Sequence, residues 1–179
     1  MSFDIRLARQ ADAPALVSLV NSAYRGDSSR AGWTTEADLL GGQRTDESAL
    51  IDFIAHSETS GDRAMLIHER DGRLVACVQL ERRGAGVYLG MLTIQPTLQS
   101  TGVGRALLSA AEDFARRTWQ TARMTMTVIE QRHELIAWYE RRGYSRTGET
   151  APFPYGDARF GEPKRPDLRF IVLAKSLTA

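Results

Sequence analysis

The segment that most constrains this chain runs Leu89-Gly90-Met91-Leu92-Thr93-Ile94-Gln95-Pro96-Thr97-Leu98-Gln99-Ser100-Thr101-Gly102-Val103-Gly104-Arg105-Ala106-Leu107-Leu108. An apolar strand, stopped by Pro96, enters a glycine-bearing turn that opens directly into a helix. Val103, Leu107, Ala110, Ala111, Phe114 and Ala115 form one apolar stripe and predict a helix over about 102–119. The first amides of such a helix have no intrahelical acceptor and lie at its positive end, so the turn is a ready anion site. Gly102 and Gly104 let the backbone approach a phosphate with no Cβ in the way. A pyrophosphate is the natural occupant. The dinucleotide fingerprint needs a third glycine where Leu107 stands, and a P-loop needs Gly-Lys-Ser/Thr where Gly104 is followed by Arg105-Ala106. Both readings fail on particular residues, which leaves another phosphate ligand or a tight packing turn.

The remaining chain supplies the sheet and helices around this unit. Residues 3–8 alternate as a first strand, and Asp12 with Pro14 suits a helix start. Leu16, Leu19, Val20, Ala23 and Tyr24 give that helix its apolar face, and Leu50, Ile51, Phe53 and Ile54 give a second one. Strands are expected at 64–68 and 73–81, joined by the hairpin signal Asp71-Gly72, and then at 87–94. Residues 123–129 alternate as a further strand, 133–142 form a helix ended by Gly143, 150–167 form a Pro/Gly/aromatic loop and 168–174 a closing strand. Hairpins with helices at intervals predict an α/β sheet of mixed direction covered on both faces, in one domain over 1–179.

Composition narrows the function classes. A formal net charge of +1 gives no electrostatic reason to expect nucleic acid or an anionic membrane as a partner. No stretch approaches the roughly 20 apolar residues of a membrane span, and the first residues lack the basic and long apolar segments of a signal peptide, so the expected location is cytoplasmic. Cys77 is the single cysteine and sits in an apolar run, which suits a small buried hydrophobe. His56, His68 and His133 are scattered, so no metal site is expected.

With these residues in view, the run at 89–108 resembles the acetyl-CoA motif of the GNAT superfamily of N-acetyltransferases, Q/R-x-x-G-x-G/A after a strand. Gln99, Gly102 and Gly104 fill that motif without substitution. Leu135-Ile136-Ala137-Trp138-Tyr139-Glu140-Arg141-Arg142-Gly143-Tyr144 is similar to the family's helix pattern, an aliphatic stretch ending in Tyr-Glu-x-x-Gly-Phe/Tyr. The resemblance implies an α/β (α+β) fold whose largely antiparallel central sheet has about six to seven strands flanked by about four helices. It implies acetyl-CoA as cofactor, its pyrophosphate on the backbone amides of Ser100, Thr101, Gly102, Val103, Gly104 and Arg105. The pantetheine arm would pair with the backbone of Leu92, Thr93 and Ile94, where an N–H would also cover the acetyl oxygen as charge develops on it. It places Tyr139 near the sulfur as proton donor to the departing thiolate, since a phenol of ordinary pKa about 10 is protonated at neutral pH. One position departs from the pattern: where many relatives carry an asparagine seven residues before the tyrosine, this chain has Arg132.

The acceptor side is less specific. Glu81, at the end of the second hairpin strand, is the candidate base, acting through water, with Glu130 as the other carboxylate. The acceptor pocket is expected from 24–36 and 151–161, with Trp33, Phe153 and Tyr155 as walls and Glu36 or Asp157 orienting a cationic amine. Together these readings predict direct transfer of an acetyl group to a primary amine of a small molecule. A protein or peptide acceptor, or a non-catalytic acyl-CoA sensor of the same fold, are the alternatives, and a homodimer is compatible with the resemblance.

Overall fold

The structure is a computed structural model describing residues 4–178, so the Phe3 end of the first expected strand lies outside the described residues. In chain order the elements are β1 (Asp4–Leu7), α1 (Ala13–Tyr24), β2 (Leu40–Gly41), α2 (Glu47–Ser60), β3 (Arg63–Arg70), β4 (Arg73–Arg83) and β5 (Gly86–Ile94). They continue with α3 (Val103–Thr118), β6 (Arg123–Ile129), α4 (His133–Glu140), β7 (Ser145–Pro152), β8 (Glu162–Pro163) and β9 (Arg169–Ser176). Seven strands form one sheet in the order β1-β3-β4-β5-β6-β9-β7, and β2 and β8 form a separate two-stranded ladder. All neighbours in the large sheet are antiparallel except β5 and β6.

Local chemistry explains the central hairpins. Asp71 and Gly72 both take positive φ, 51° and 70°, as a two-residue turn matched to strand twist requires. The side chains of β3 and β4 then alternate between two cores. Ala64, Leu66, Ala76, Val78 and Leu80 face α3, with Leu107, Leu108, Ala111 and Ala115. Met65, Ile67 and Cys77 face α1 and α2, with Leu16, Leu19, Val20, Leu50 and Ile54. Each fully buried Leu or Ile contributes about 1.5–3 kcal/mol, so the two cores hold the sheet from both sides. The buried Cys77 thiol is pushed up to about 12 by desolvation, which leaves it unreactive at neutral pH. Among the described residues no helix is long and apolar enough to cross a membrane, and no His/Cys/Asp/Glu group could hold a metal.

Two departures from regularity open the site. Between Cys77 and Gln79 the β4–β5 register shifts, because Gly90 to Thr93 spans one residue more than its partner, and Met91 there has φ +50°. A bulge of this kind bends its strand. Parallel pairing of β5 with β6 accordingly stops after Val87–Met124 and Tyr88–Thr125, and the two strands diverge.

The second half differs from expectation in two places. Residues 145–152 form strand β7 on β9, although the expected loop began at 150. Its exposed, Gly- and Pro-containing sequence has no alternation to detect, and the ladder with β9 is what orders it. The rest of the 153–168 segment is a strap, not a free loop. Its β8 pairs with β2, the Lys164 amide donates to Leu39 O (2.9 Å) and Lys164 Nζ donates to Ala37 O (2.5 Å). Gly161 takes φ +90°, and a Cβ there would lie 2.7 Å from Gly41 O, so glycine is needed for the strap to seat.

Candidate active site

The turn after β5 and the start of α3 form one wall of a cleft of about 460 Å³. Ser100 (φ +69°) and Gly102 (φ +93°) are both left-handed, and the helix begins at Val103. No acidic side chain occupies its first turn. Arg105 stands there instead, a cation at the positive end of a helix, which is unfavourable unless an anion sits between them. Arg142 adds a second cation to the cleft, stacked 3.6 Å from the Trp138 ring and donating to Trp138 O at 2.7 Å. A Cβ on Gly102 would meet nothing within 4 Å, so its need for glycine is conformational. One on Gly104 would meet Trp138 at 3.4 Å and Ile94 at 3.5 Å, ordinary contact distances, so the surrounding packing does not itself demand glycine there. Gln99 bridges the turn to the opposite wall: its Oε1 accepts from the Thr34 amide and its Nε2 donates to Ile94 O, both at 3.4 Å. Trp33 on that wall lies 6.4 Å from Trp138.

A smaller cavity of about 160 Å³ lies where β5 and β6 diverge, lined by both strands and by Phe153, Phe160 and Phe170. Tyr24, Leu92, Arg132, Leu135 and Tyr139 line both spaces. Tyr139 is held edge-on between Trp138 (5.0 Å) and Tyr144 (5.7 Å). Its hydroxyl makes no hydrogen bond with the described residues, and burial raises its pKa well above the ordinary phenol value. Tyr24 is likewise raised by burial, and its hydroxyl donates to Leu92 O at 3.0 Å.

Charge in the smaller cavity is concentrated on one side. Glu36 is buried between two buried arginines, with Oε1 accepting from Arg132 Nη1 at 2.9 Å and Oε2 from Arg25 Nη1. Burial alone would raise the Glu36 pKa, but Arg132 and Arg25 outweigh it and hold the carboxyl below its ordinary value. Arg132 Nη2 also donates to Thr34 Oγ1 (2.8 Å), and Nε of both arginines has no partner among the described residues.

The expected residues are thus distributed unequally. Leu92, Thr93, Ile94, Gln99, Ser100, Thr101, Gly102, Gly104 and Arg105 line the larger cleft together, whereas the Val103 side chain turns into the core. Trp33, expected as a wall of the acceptor pocket, lines this cleft and not the smaller cavity. Phe153 and Glu36 line the smaller cavity, but Glu36 is engaged by two guanidiniums and is not free to orient an ammonium. Tyr155 lines neither space; its hydroxyl bonds Arg165 O and the Leu168 amide (2.8 Å each), and its ring supports Phe153 at 5.1 Å. Glu81 also lines neither: it stands across from Tyr88, but its carboxylate is paired with Arg83 at the hairpin end. Glu130 and Asp157 are tied to Arg169 and Arg159. Arg44, Trp138 and Arg142 were missed, and Tyr24 figured only as one end of an expected pocket segment. For Trp138 and Arg142 a signal existed, since they flank Tyr139 on the recognised helix; Arg44 sits in a stretch with no periodic pattern.

Fold and site together define an acyltransferase class, and the chain belongs to the acetyltransferase (GNAT) family, whose profile matches residues 20–144. Among curated proteins it is similar to an IAA acetyltransferase from Azospirillum brasilense, 29% identical over 94 residues. That match spans 51% of this chain and 61% of the relative. Among solved structures it is similar to PaiA N-acetyltransferase from Thermoplasma acidophilum in complex with coenzyme A (TM-score 0.74, 17% identity, 98% and 99% of the two chains covered). It is also similar to ribosomal-protein-alanine N-acetyltransferase from Brucella melitensis (TM-score 0.72, 20% identity, 96% and 98% covered).

Proposed function

We propose that this protein transfers an acetyl group from acetyl-CoA to a primary amine of a small molecule, directly, with both substrates bound. The observation that carries the reading is the meeting of two cavities at Tyr139, one walled by free helix amides and one by side chains.

The larger cleft fits coenzyme A on its own chemistry. Gly102 at φ +93° presents amides at a helix start, and Arg105 and Arg142 supply cations where a pyrophosphate needs them. Acetyl-CoA supplies an activated thioester acyl group. The edge of β5 at Leu92, Thr93 and Ile94 supports the extended arm, and Tyr139 Oη holds a proton for the leaving sulfur. Its raised pKa keeps that proton in place at neutral pH, and its unpartnered hydroxyl is free to donate it. Among the described residues no free carboxylate lines the smaller cavity, which favours water over Glu81 or Glu36 as the acceptor of the amine proton. The strap of 153–168, paired to β2, gives this cavity Phe153 and Phe160 as wall, and its small volume supports a small acceptor over a peptide.

Titration of acetyl-CoA into the full chain by calorimetry, with thiol release on an amine panel, tests the reading. Binding with amine-dependent release supports it. Binding without turnover on any amine would make the chain an acyl-CoA sensor, and no binding by folded protein would sink the assignment of the cleft.

A further inference from the structure

Resting on that acyl-transfer reading, we infer that the acceptor is an amine that also carries an anionic group, a carboxylate or its equivalent, recognised by Arg44. The charged residues lining the smaller cavity are Arg25, Arg44, Arg132 and Glu36, so three guanidiniums face one carboxylate. Glu36 is paired directly with Arg25 and Arg132, which leaves Arg44 acting on it only at longer range, with no ion pair of its own. Among the described residues no carboxylate lies within ion-pair distance of Arg44, and its guanidinium makes no hydrogen bond; it rests 5.5 Å from the Tyr24 ring.

This placement is built, not incidental. Asn21 on α1 clamps the backbone that carries Arg44: its Oδ1 accepts from the amides of Arg44 (2.7 Å) and Thr45 (3.2 Å), and its Nδ2 donates to Thr45 O (2.9 Å). A half-buried cation fixed at a cavity wall has lost hydration, and an anion in the cavity is what restores its hydrogen bonds. Two further donors, Nε of Arg25 and of Arg132, are buried on the same wall without partners.

The same charge excess has a second effect that fits the chemistry. A wall with surplus positive charge disfavours an ammonium and lowers its pKa, so an amine bound there gives up its proton to water more readily. A purely cationic amine would be repelled. An amine with an attached carboxylate is drawn in by one group and deprotonated at the other. In the transfer itself the amine nitrogen forms the new N–C bond, the C–S bond breaks, and one proton leaves the nitrogen while one reaches the sulfur.

The test compares acceptors in pairs: α-amino acids against their own carboxamides and decarboxylated amines, with thiol release at saturating acetyl-CoA. Arg–carboxylate recognition should give the acids kcat/KM higher by about 10–100-fold. Arg44→Gln should raise KM for the acids by about tenfold, well beyond the change it makes for the carboxamides, which lose only its effect on amine deprotonation, and Arg44→Lys should recover part of the loss. That split separates recognition from a general structural role. Equal or better use of the neutral partners overturns the inference, as does a protein that binds acetyl-CoA and acetylates no acid of the panel. Absence of acetyl-CoA binding by calorimetry would instead remove the reading on which the inference rests.

Discussion

The two spaces that meet at Tyr139 are built from different material. Much of the larger cleft comes from one continuous stretch, the end of β5, the turn and the start of α3 with its helix amides, and α4, Tyr24 and the Trp33-Thr34 segment complete it. The smaller cavity is made of side chains from segments far apart in the chain: Arg25 and Glu36, Arg44, Tyr88, Thr127, Arg132 and Phe153. Backbone amides present the same groups whatever the side chains are, so a site made from them depends on φ and tolerates little else. A side-chain site can be retuned one residue at a time, and it depends on a charge network that must stay balanced.

The largest expected effect breaks that network. Glu36→Gln leaves two buried guanidiniums without a carboxylate and should cost about 3–5 kcal/mol, measured by denaturant unfolding at neutral pH. The pH dependence should change with it. In the fold Glu36 titrates below its unfolded value, so its stabilisation is complete above the unfolded pKa and is lost as pH falls through the folded one. The variant should therefore lose less stability on acidification than the wild type.

Next comes the junction. Tyr139→Phe removes the proton donor and should lower kcat by about 100–1000-fold with acetyl-CoA affinity little changed. Because burial raises this phenol, the wild-type rate should show no loss from Tyr139 on the alkaline side up to its ordinary value of 10.0. A rate untouched by Tyr139→Phe would remove the tyrosine from the chemistry.

Two glycines then sharpen the contrast within the backbone-built cleft. Gly102→Val forces a β-branched residue to φ +93° and should weaken acetyl-CoA binding by about 10–100-fold, read by calorimetry. Gly104→Ala only meets Trp138 and Ile94 at ordinary contact distance and should change it by less than about threefold. Equal losses would mean that close approach, and not φ, governs the turn. The smallest effect lies on the strap: Tyr155→Phe loses two hydrogen bonds at a partly exposed site and should cost about 1 kcal/mol of stability without altering acetyl-CoA affinity.

The same division sets what could be read from the sequence. Gln99, Gly102 and Gly104 encode their site locally, through turn chemistry and a helix stripe, so the cleft and the six strands and four helices around it were legible. Strand β7 and the β2–β8 ladder were not, because they are exposed or two residues long and owe their order to pairing partners distant in the chain. Trp33 and Tyr155 were expected as pocket walls because they lie in aromatic-bearing segments flanking the cleft, and which space such a ring borders is decided by packing that no short spacing records. Arg132 was visible only as a departure from a pattern; its partner Glu36 is 96 residues away.

The tryptophan arrangement turns the larger cleft into its own optical reporter. Of three tryptophans, Trp33 and Trp138 border the cleft, while Trp119 is buried in the core with its indole N–H on Gly61 O. Intrinsic fluorescence should therefore divide into a component that responds to whatever enters between the first two rings and a constant one. Occupancy could then be followed in real time, with no label and no catalytic turnover, in the wild type and in every variant whose tryptophans are intact.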